Sequence, residues 1–205
     1  MYVPGAFRVQ DEARLFTAIE RWPFGILVDG GAGDGPGATH VPFVADRGGR
    51  RLITHLAAAN PQCRRLADAR ALAIFRGPHA SVSPHDLGEP ARNVPTWNYV
   101  AIHVRGIARQ LAGDGIIAAL DAAVDGHEPS DWHRSQLVAE MRARLERGVC
   151  AFALEIEHMT GCWKLSQNKA PAMQRRLHRR LRARGGEARE LAGEMTPPGD
   201  DPCTR

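Results

Sequence analysis

A series of short strand-like segments, separated by glycine and proline, is the feature that most restricts the fold of this chain. Residues 99–108 show it best, because Val100, Ile102 and Val104 alternate with a more polar face, as in a half-exposed strand. The other predicted strands are 24–28, 38–45, 50–55, 71–75, 80–83, 149–157 and 161–165. Many short strands around a few helices favour a small β-barrel over a doubly wound parallel sheet.

Helical periodicity and caps predict the remaining elements. Asp11 is a typical N-cap for an amphipathic helix that Pro23 ends, and Asn60-Pro61 is a typical helix start. The predicted helices are 12–21, 61–67, 115–124 and 130–147. The glycine-rich stretch 30–37 predicts a hairpin turn, because it lacks the residue order of a phosphate-binding loop and no helix follows it directly.

Length and composition indicate one main domain with a terminal extension. The 205 residues include 43% hydrophobic and 24% charged residues, which is ordinary for a globular protein. The chain begins without a signal-peptide pattern, and no apolar run approaches the roughly 18 residues of a membrane span. Its four scattered cysteines form no CxxC pair and are interpreted as free thiols. We therefore expect a cytoplasmic protein without membrane contact.

The C-terminal part of the chain carries its positive charge. Residues 161–205 hold ten Lys/Arg and five Asp/Glu, whereas the rest of the chain holds seventeen and eighteen. We predict a domain at 1–169, followed by a basic helical extension at 170–205. Within this extension Met173, Leu177 and Leu181 lie at four-residue spacing on a narrow apolar seam, so the helix is expected to dock by one edge.

Nearly every cation in the chain is an arginine, and Lys164 and Lys169 are its two lysines. A guanidinium group suits bidentate contact with phosphate or carboxylate, although genome composition explains the bias equally well. A second, weaker helix is predicted up to Met195, and a frayed tail is predicted at 196–205.

Six separated motifs carry a family resemblance. They are Met1-Tyr2-Val3-Pro4, Ala38-Thr39-His40-Val41-Pro42-Phe43, His55-Leu56-Ala57 before Ala59-Asn60-Pro61, Gly77-Pro78-His79-Ala80, Val94-Pro95-Thr96-Trp97-Asn98-Tyr99 and Lys164-Leu165-Ser166-Gln167-Asn168-Lys169. In this order they resemble the PaiB family, which is described as FMN-binding negative transcriptional regulators. The resemblance runs from residue 1 to about residue 170 and so covers most of the chain.

The resemblance implies an α+β fold, a split β-barrel of the FMN-binding, pyridoxamine phosphate oxidase-like kind, with peripheral helices and a basic C-terminal helical arm. It also implies a homodimer that holds FMN in a groove between protomers, where cations suit the phosphate and an aromatic wall suits the ring. The cofactor-binding residues carried over from the motif positions are Thr39, His40, His55, Asn60, Trp97, Lys164, Gln167 and Lys169. The last three are expected to reach across from the partner protomer.

The motif residues also have ordinary structural interpretations. His40 can be a hydrogen-bonded barrel histidine, Asn60 a helix start, and Trp97 an anchor for the long loop at 84–96. His55 can cap the following helix, or it can be the axial ligand of haem b. The haem alternative arises because the resemblance extends to the piperazate synthases, haem-dependent enzymes that form an N–N bond. A flavin-dependent oxidoreductase is a further alternative.

Departures from the family pattern bear on the cofactor. Ala58 stands where the family usually has an arginine suited to a phosphate or a propionate, so the sequence leaves open whether FMN or haem is retained. Cys63 and Ser81 stand where an aromatic residue often occurs, which predicts a roomier pocket. Asn168-Lys169 is the regulator-like form of the last motif.

A regulator function predicts DNA as a partner, with the arginine-rich helix at 174–184 as the contact. The sequence has no helix-turn-helix pattern with a clear recognition helix, so direct operator reading is not supported. The arm can instead stabilise a dimer by pairing with acidic groups near Asp121 and Asp125, or form a solvated helix face. Neither a nucleophilic triad nor a zinc site is predicted, and the sequence leaves open whether the protein is an enzyme.

Overall fold

The computed structural model describes residues 1–31 and 35–196. Its strands are β1 (Arg8–Val9), β2 (Phe24–Asp29), β3 (Ala38–Pro42), β4 (Val44–Asp46), β5 (Arg51–Ala57), β6 (Ala69–Val82), β7 (Thr96–Gln110) and β8 (Val149–Lys164). Its α-helices are α1 (Glu12–Arg21), α2 (Gln62–Leu66), α3 (Pro84–Leu87), α4 (Asp114–His127), α5 (Ala139–Arg147), α6 (Pro171–Arg184) and α7 (Gly186–Gly193). The strands follow the order β3-β2-β6-β7-β8-β5-β4, and β1 pairs with β8. The predicted turn tip at 32–34 and the predicted tail from residue 197 lie outside the described residues.

The chain divides into two compact units, each built from separate segments. The first unit comprises Met1–Gln10, Arg76–Ile102 and Thr160–Arg205, and the second comprises Asp11–Phe75 and His103–Met159. Strands β6, β7 and β8 each contribute to both units. The basic arm, α6 and α7, therefore belongs to the first unit together with the chain start.

In the second unit, α1 forms over the predicted residues. The Asp11 carboxylate accepts the Arg14 N–H at 3.0 Å as an N-cap, and Leu15 and Ile19 are fully buried on the inner face of the helix. The strand pairs of this unit are antiparallel: β2 lies between β3 and β6, and β5 lies between β4 and β8. The register of β5 on β8 places His55 opposite Ala151.

Asp29 fixes the base of the β2–β3 hairpin. Its carboxylate accepts the Gly31 and Gly37 N–H groups at 2.8 and 3.2 Å and forms an ion pair with Arg65 at 3.0 Å. Burial raises the pKa of this carboxyl, but the hydrogen bonds from Arg65 and the two backbone groups outweigh burial and leave the pKa lowered. The charged carboxylate therefore closes the glycine-rich turn, as the sequence predicted for a hairpin rather than a phosphate loop.

In the first unit, the arm packs onto the strand core. Leu177 and Leu181 of α6 are fully buried, which confirms these two positions of the predicted apolar seam, and Met173 is half-buried. The Arg184 guanidinium donates to the Ser81 carbonyl at 2.8 Å, and the Gln174 amide donates to the Lys169 carbonyl at 2.7 Å. The arm is thus tied by side chains to both β6 and the segment that follows β8.

Several predicted elements merge or divide. The segments 71–75 and 80–83 form one strand, β6, whose buried face shifts by one residue at Gly77-Pro78, as at a β-bulge. The segments 149–157 and 161–165 likewise form the single strand β8. Gly77-Pro78 in β6 and Gly161 in β8 locally favour a break, but each strand continues through these residues.

Phe43 divides the predicted strand 38–45 into β3 and β4. Its ring is buried and packs edge-to-face on Phe75, with centroids 5.0 Å apart, and its N–H donates to the Pro23 carbonyl. Burial of this ring turns the backbone out of the ladder. The predicted helix 130–147 is also divided, into a 3-10 turn at Arg134–Gln136 and the helix α5.

Among the described residues, no helix is both long enough and apolar enough to cross a membrane.

Candidate cofactor site

The predicted site residues fall into two groups, one in each unit. The first unit contains Trp97, Lys164, Gln167 and Lys169, and the second contains Thr39, His40, His55 and Asn60.

The two lysines of the chain lie at the two ends of residues 164–169, which begin at the last residue of β8 and which we call the lysine loop. Lys164 Nζ donates to Thr96 Oγ1 at 2.7 Å, and Lys169 Nζ donates to Asn93 Oδ1 at 2.8 Å. Both partners are neutral oxygens, and neither ammonium forms an ion pair with another described residue. An ammonium group has three N–H donors, so each lysine keeps positive charge and further donors for an anion.

Internal hydrogen bonds hold the lysine loop in shape. The Gln167 amide nitrogen donates to the Ala6 and Trp163 carbonyls at 3.0 and 2.6 Å, and its oxygen accepts the Leu165 N–H at 2.7 Å. Ser166 has a positive φ of 62°, and its hydroxyl hydrogen-bonds with the fully buried Asn98 amide. The Gln167 side chain therefore positions the loop, and its predicted cofactor contact stays a prediction.

Trp97 forms one wall of a pocket in the first unit with a volume of about 320 Å³. The other lining residues are Arg76, His79, Tyr99, Val100 and Ala101. The Trp97 ring is 55% exposed and meets the His79 imidazole edge-on, with centroids 5.4 Å apart. A hydrogen bond with Cys162 and then burial raise the pKa of Tyr99, so its phenol stays neutral. These side chains form a flat, largely apolar wall suited to a planar ring.

His79 adds a polar atom without a partner. Its Nε2 lies 3.4 Å from Glu187 Oε1 and also contacts the Arg76 guanidinium. Its Nδ1 is buried and has no hydrogen-bond partner among the described residues. Buried polar atoms are usually satisfied, so an unpartnered nitrogen is an unusual feature of a residue that lines the pocket.

In the second unit, Thr39 and Asn60 belong to a closed hydrogen-bond network around Gln62. The Asn60 amide donates to Thr39 Oγ1 at 3.0 Å, and Thr39 donates to Gln62 Oε1 at 2.6 Å. Gln62 Nε2 then donates to the Leu27 and Gly37 carbonyls. Asn60 Oδ1 also accepts the Gln62 N–H, a local turn contact directly before the five-residue helix α2, whose N-cap position is Pro61. The polar groups of both predicted residues are engaged within the protein.

His40 lies on the opposite face of β3 from Thr39 and is exposed. Its ring stacks on Phe24, with centroids 6.2 Å apart and an interplanar angle of 26°. Phe24 is also exposed, so the pair forms an aromatic surface on the β2–β3 hairpin. Ala58 is exposed as well, and its N–H donates to the Gly148 carbonyl at 2.8 Å.

His55 lies in a second pocket, with a volume of about 360 Å³, which we call the His55 pocket. Apolar side chains from three elements line it, namely Leu120 and Val124 of α4, Leu145 of α5 and Val149 of β8, with Trp132 between the helices. Burial lowers the pKa of His55, so its imidazole is neutral near pH 7.

Arg134 lines the His55 pocket, but its charge is compensated. Its guanidinium donates to both Asp121 oxygens at 2.7 and 3.2 Å and to Glu146 at 2.8 Å, and its side chain is only 10% exposed. Asp121, which the sequence suggested as a partner for arm arginines, is thus paired with an arginine of its own unit.

Sequence reasoning missed Gln62, Arg76 and His79. Gln62 follows the Asn-Pro motif directly, and its position at the first turn of a predicted helix was the available signal. His79 stands inside a quoted motif, but its pairing with Trp97 joins β6 to β7 across many residues of sequence. Among the described residues, no group of three or more His, Cys, Asp or Glu side chains is arranged to hold a metal ion.

Known proteins match this chain over most of its length. A profile of the protein family described as "Putative FMN-binding domain" matches residues 1–158. The chain is 30% identical over 177 residues to "Protease synthase and sporulation protein PAI 2" of Bacillus subtilis, which covers 82% of this chain and 83% of that protein. These matches confirm the resemblance read from the six motifs.

Two solved structures are similar in fold. The FAD and heme binding protein from Mycobacterium smegmatis has a TM-score of 0.59 at 19% identity, covering 77% of this chain and 73% of that one. The flavocytochrome Anf3 from Azotobacter vinelandii has a TM-score of 0.60 at 17% identity, covering 77% and 69%. At these identities the likeness concerns the fold, and the predicted α+β split β-barrel is confirmed.

The thiol of Cys63, a buried residue of α2, provides a test of the structure around this helix. Burial first, and interaction with the Cys150 thiol second, raise the pKa of Cys63 to about 12. Alkylation requires the thiolate, which at pH 8 is then about one part in ten thousand of this residue. We expect iodoacetamide to leave Cys63 unmodified in the native protein and to modify it in urea, as measured by peptide mass spectrometry. The half-buried Cys150 is read in the same digest, and rapid native labelling of Cys63 would contradict the structure.

Proposed function

Because this chain belongs to the PaiB family, whose domain is described as "Putative FMN-binding domain", we propose that it is an FMN-binding regulator. FMN is the cofactor given by the family description. We place its phosphate at the lysine loop and its ring at the Trp97 pocket, both in the first unit. The lysine loop follows the residues matched by the family profile, so its role rests on geometry and charge.

The observation that carries this assignment is the state of the two lysines. The chain uses arginine for every other cation, yet the lysine loop contains both of its lysines. Each ammonium is held by a neutral oxygen, Thr96 Oγ1 or Asn93 Oδ1, and remains uncompensated. A phosphate dianion supplies the missing charge and accepts the free N–H groups.

The Trp97 pocket suits the ring of the same ligand. Trp97 and Tyr99 offer apolar faces, and the unpartnered His79 Nδ1 offers one hydrogen bond to a ring edge when the imidazole turns toward the ligand. When bound, FMN supplies reversible electron transfer at its ring. The protein would orient the ring by Trp97, hold a ring-edge hydrogen bond at His79 Nδ1 and neutralise the phosphate at Lys164 and Lys169.

We also propose a cytoplasmic homodimer. In the first unit Tyr2, Val94 and Trp97 are exposed apolar side chains, which a partner protomer or a ligand can cover.

Comparison of FMN with riboflavin tests the phosphate assignment. Riboflavin has the same ring without the phosphate, so we expect Lys164→Ala and Lys169→Ala to weaken FMN binding about 10- to 100-fold and riboflavin binding little. Flavin fluorescence quenching measures both. The variants Lys164→Arg and Lys169→Arg keep the charge and serve as matched controls. An equal loss for both ligands, or no loss for FMN, would remove the lysines from the site.

Haem is a second candidate, and one observation favours it. His55 presents a neutral imidazole in an apolar pocket, which is the form that coordinates iron. The His55 pocket supplies this ligand, but its lining cation, Arg134, is already bound by two carboxylates and is not free for propionates.

Absorption spectra distinguish the two cofactors. We expect added FMN to give a bound-flavin spectrum and added hemin to give no His55-dependent Soret band. A Soret band that His55→Ala abolishes, with no flavin binding, would transfer the assignment to haem. His40→Ala, an exposed histidine on β3, is the matched control for loss of an imidazole.

For the regulator function, we propose that the arm binds DNA by its exposed arginines. Arg176 and Arg184 contact the body of the first unit, whereas Arg179, Arg180 and Arg182 are exposed and form no ion pair with described residues. Exposed guanidinium groups can neutralise phosphates without reading bases.

Salt dependence tests this contact. If Arg179 and Arg182 each neutralise one phosphate, the double alanine variant should lower the slope of log affinity against log salt by about two. Fluorescence anisotropy with a labelled duplex measures it. The variant Arg64→Ala/Arg92→Ala removes two exposed arginines elsewhere and is expected to leave the slope unchanged. Equal slopes for the two variants would contradict a role for the arm.

A further inference from the structure

The His55 pocket takes no part in the proposed flavin site, and its chemistry points to a different ligand. Its volume of about 360 Å³ lies at the small end of the range for ligand pockets, so it accommodates one small ring compound. Leu120, Val124, Leu145 and Val149 supply apolar walls, and Trp132 supplies an aromatic one. An apolar body fits this lining.

The charges around the His55 pocket are predominantly negative. Arg134 carries one positive charge but contacts two carboxylates, Asp121 and Glu146. Glu128 lines the same pocket and is exposed at its edge. Hydrogen bonds from the Ser130 hydroxyl and N–H lower the pKa of Glu128, which keeps this carboxylate charged. Glu128 is therefore the carboxylate of the pocket lining, whereas Asp121 and Glu146 act by compensating the charge of Arg134, and His127 is a further titratable residue of the lining.

This charge balance decides the ligand class. A phosphate or a propionate would meet the Glu128 carboxylate and a cation that is already paired, so anionic ligands are disfavoured. A cation would gain from the same field. The neutral His55 imidazole adds one hydrogen-bonding group without changing the balance.

We propose that the His55 pocket binds a small primary amine with an aromatic body, the ring lying against Trp132 and Leu145 and the ammonium group lying at Glu128. Such a ligand is a substrate or an effector of the protein. The assignment does not rest on FMN, because every residue that carries it belongs to the second unit.

Three probes of nearly equal size and different charge test this proposal. They are 2-phenylethylamine, 2-phenylethanol and 3-phenylpropionate, measured by ligand-observed NMR and calorimetry at about pH 8, where an ordinary imidazole is uncharged. We expect the amine to bind about fivefold more tightly than the alcohol at low salt, and the acid to bind more weakly than the alcohol. Equal affinities, or preference for the acid, would overturn the proposal.

Variants locate the binding site. Glu128→Gln removes an exposed charge without changing the packing, and it should reduce the amine to the affinity of the alcohol. Glu140→Gln changes an exposed carboxylate of α5 outside the pocket lining and should change nothing. Val124→Phe fills the pocket and should abolish binding of the amine and the alcohol, provided that circular dichroism and melting temperature show a folded protein. Amine binding that survives Glu128→Gln unchanged would refute the assignment even if Val124→Phe fails to fold.

FMN titration of Glu128→Gln separates the two proposals. We expect this variant to bind FMN with unchanged affinity. If amine binding fails, the flavin assignment still stands. If FMN binding fails, the amine assignment still stands. A His55-dependent Soret band that 2-phenylethylamine does not reduce would assign the pocket to haem and overturn the amine proposal.

Discussion

The structure depends on one constraint: a polar side chain that is buried must find its hydrogen-bond partners inside the protein. Gln62 is 1% exposed and meets this constraint through Thr39 and two backbone carbonyls. Asn98 is fully buried and meets it through Ser166. Each of these pairs joins segments that are distant in sequence, and an unpaired amide would cost about 1–3 kcal/mol. These hydrogen bonds therefore restrain the segments next to the candidate binding residues.

This constraint separates the residues of the family motifs by role. Thr39, Asn60 and Gln167 use their polar groups for internal hydrogen bonds, so their recurrence in a family pattern has a structural cause. Lys164 and Lys169 stand beside such residues but keep their charge available. A motif thus contains both the side chains that shape a loop and those that the loop presents, and only their contacts distinguish the two.

Local patterns in the sequence predicted the elements that local interactions determine. The Asp11 cap, the apolar face of α1 and the seam of Leu177 and Leu181 were all readable from spacing. The continuity of β6 through Gly77-Pro78 was not, because strand pairing with distant segments overrides the local preference of proline for a break. The split barrel itself was predicted from the family resemblance, because a pattern of short strands does not show how a sheet closes.

The candidate site was predictable only in part, because contacts between segments that are distant in sequence complete it. Trp97 and the lysines stood in motifs, but the environment of His79 and the carboxylates around Arg134 come from elements far apart in the chain. Glu187 illustrates the consequence. It lies in the C-terminal arm, beyond the motifs, yet its carboxylate contacts both Arg76 and His79 in the lining of the Trp97 pocket. Related proteins with arms of different length or sequence can therefore diverge in ligand preference while every motif residue stays the same.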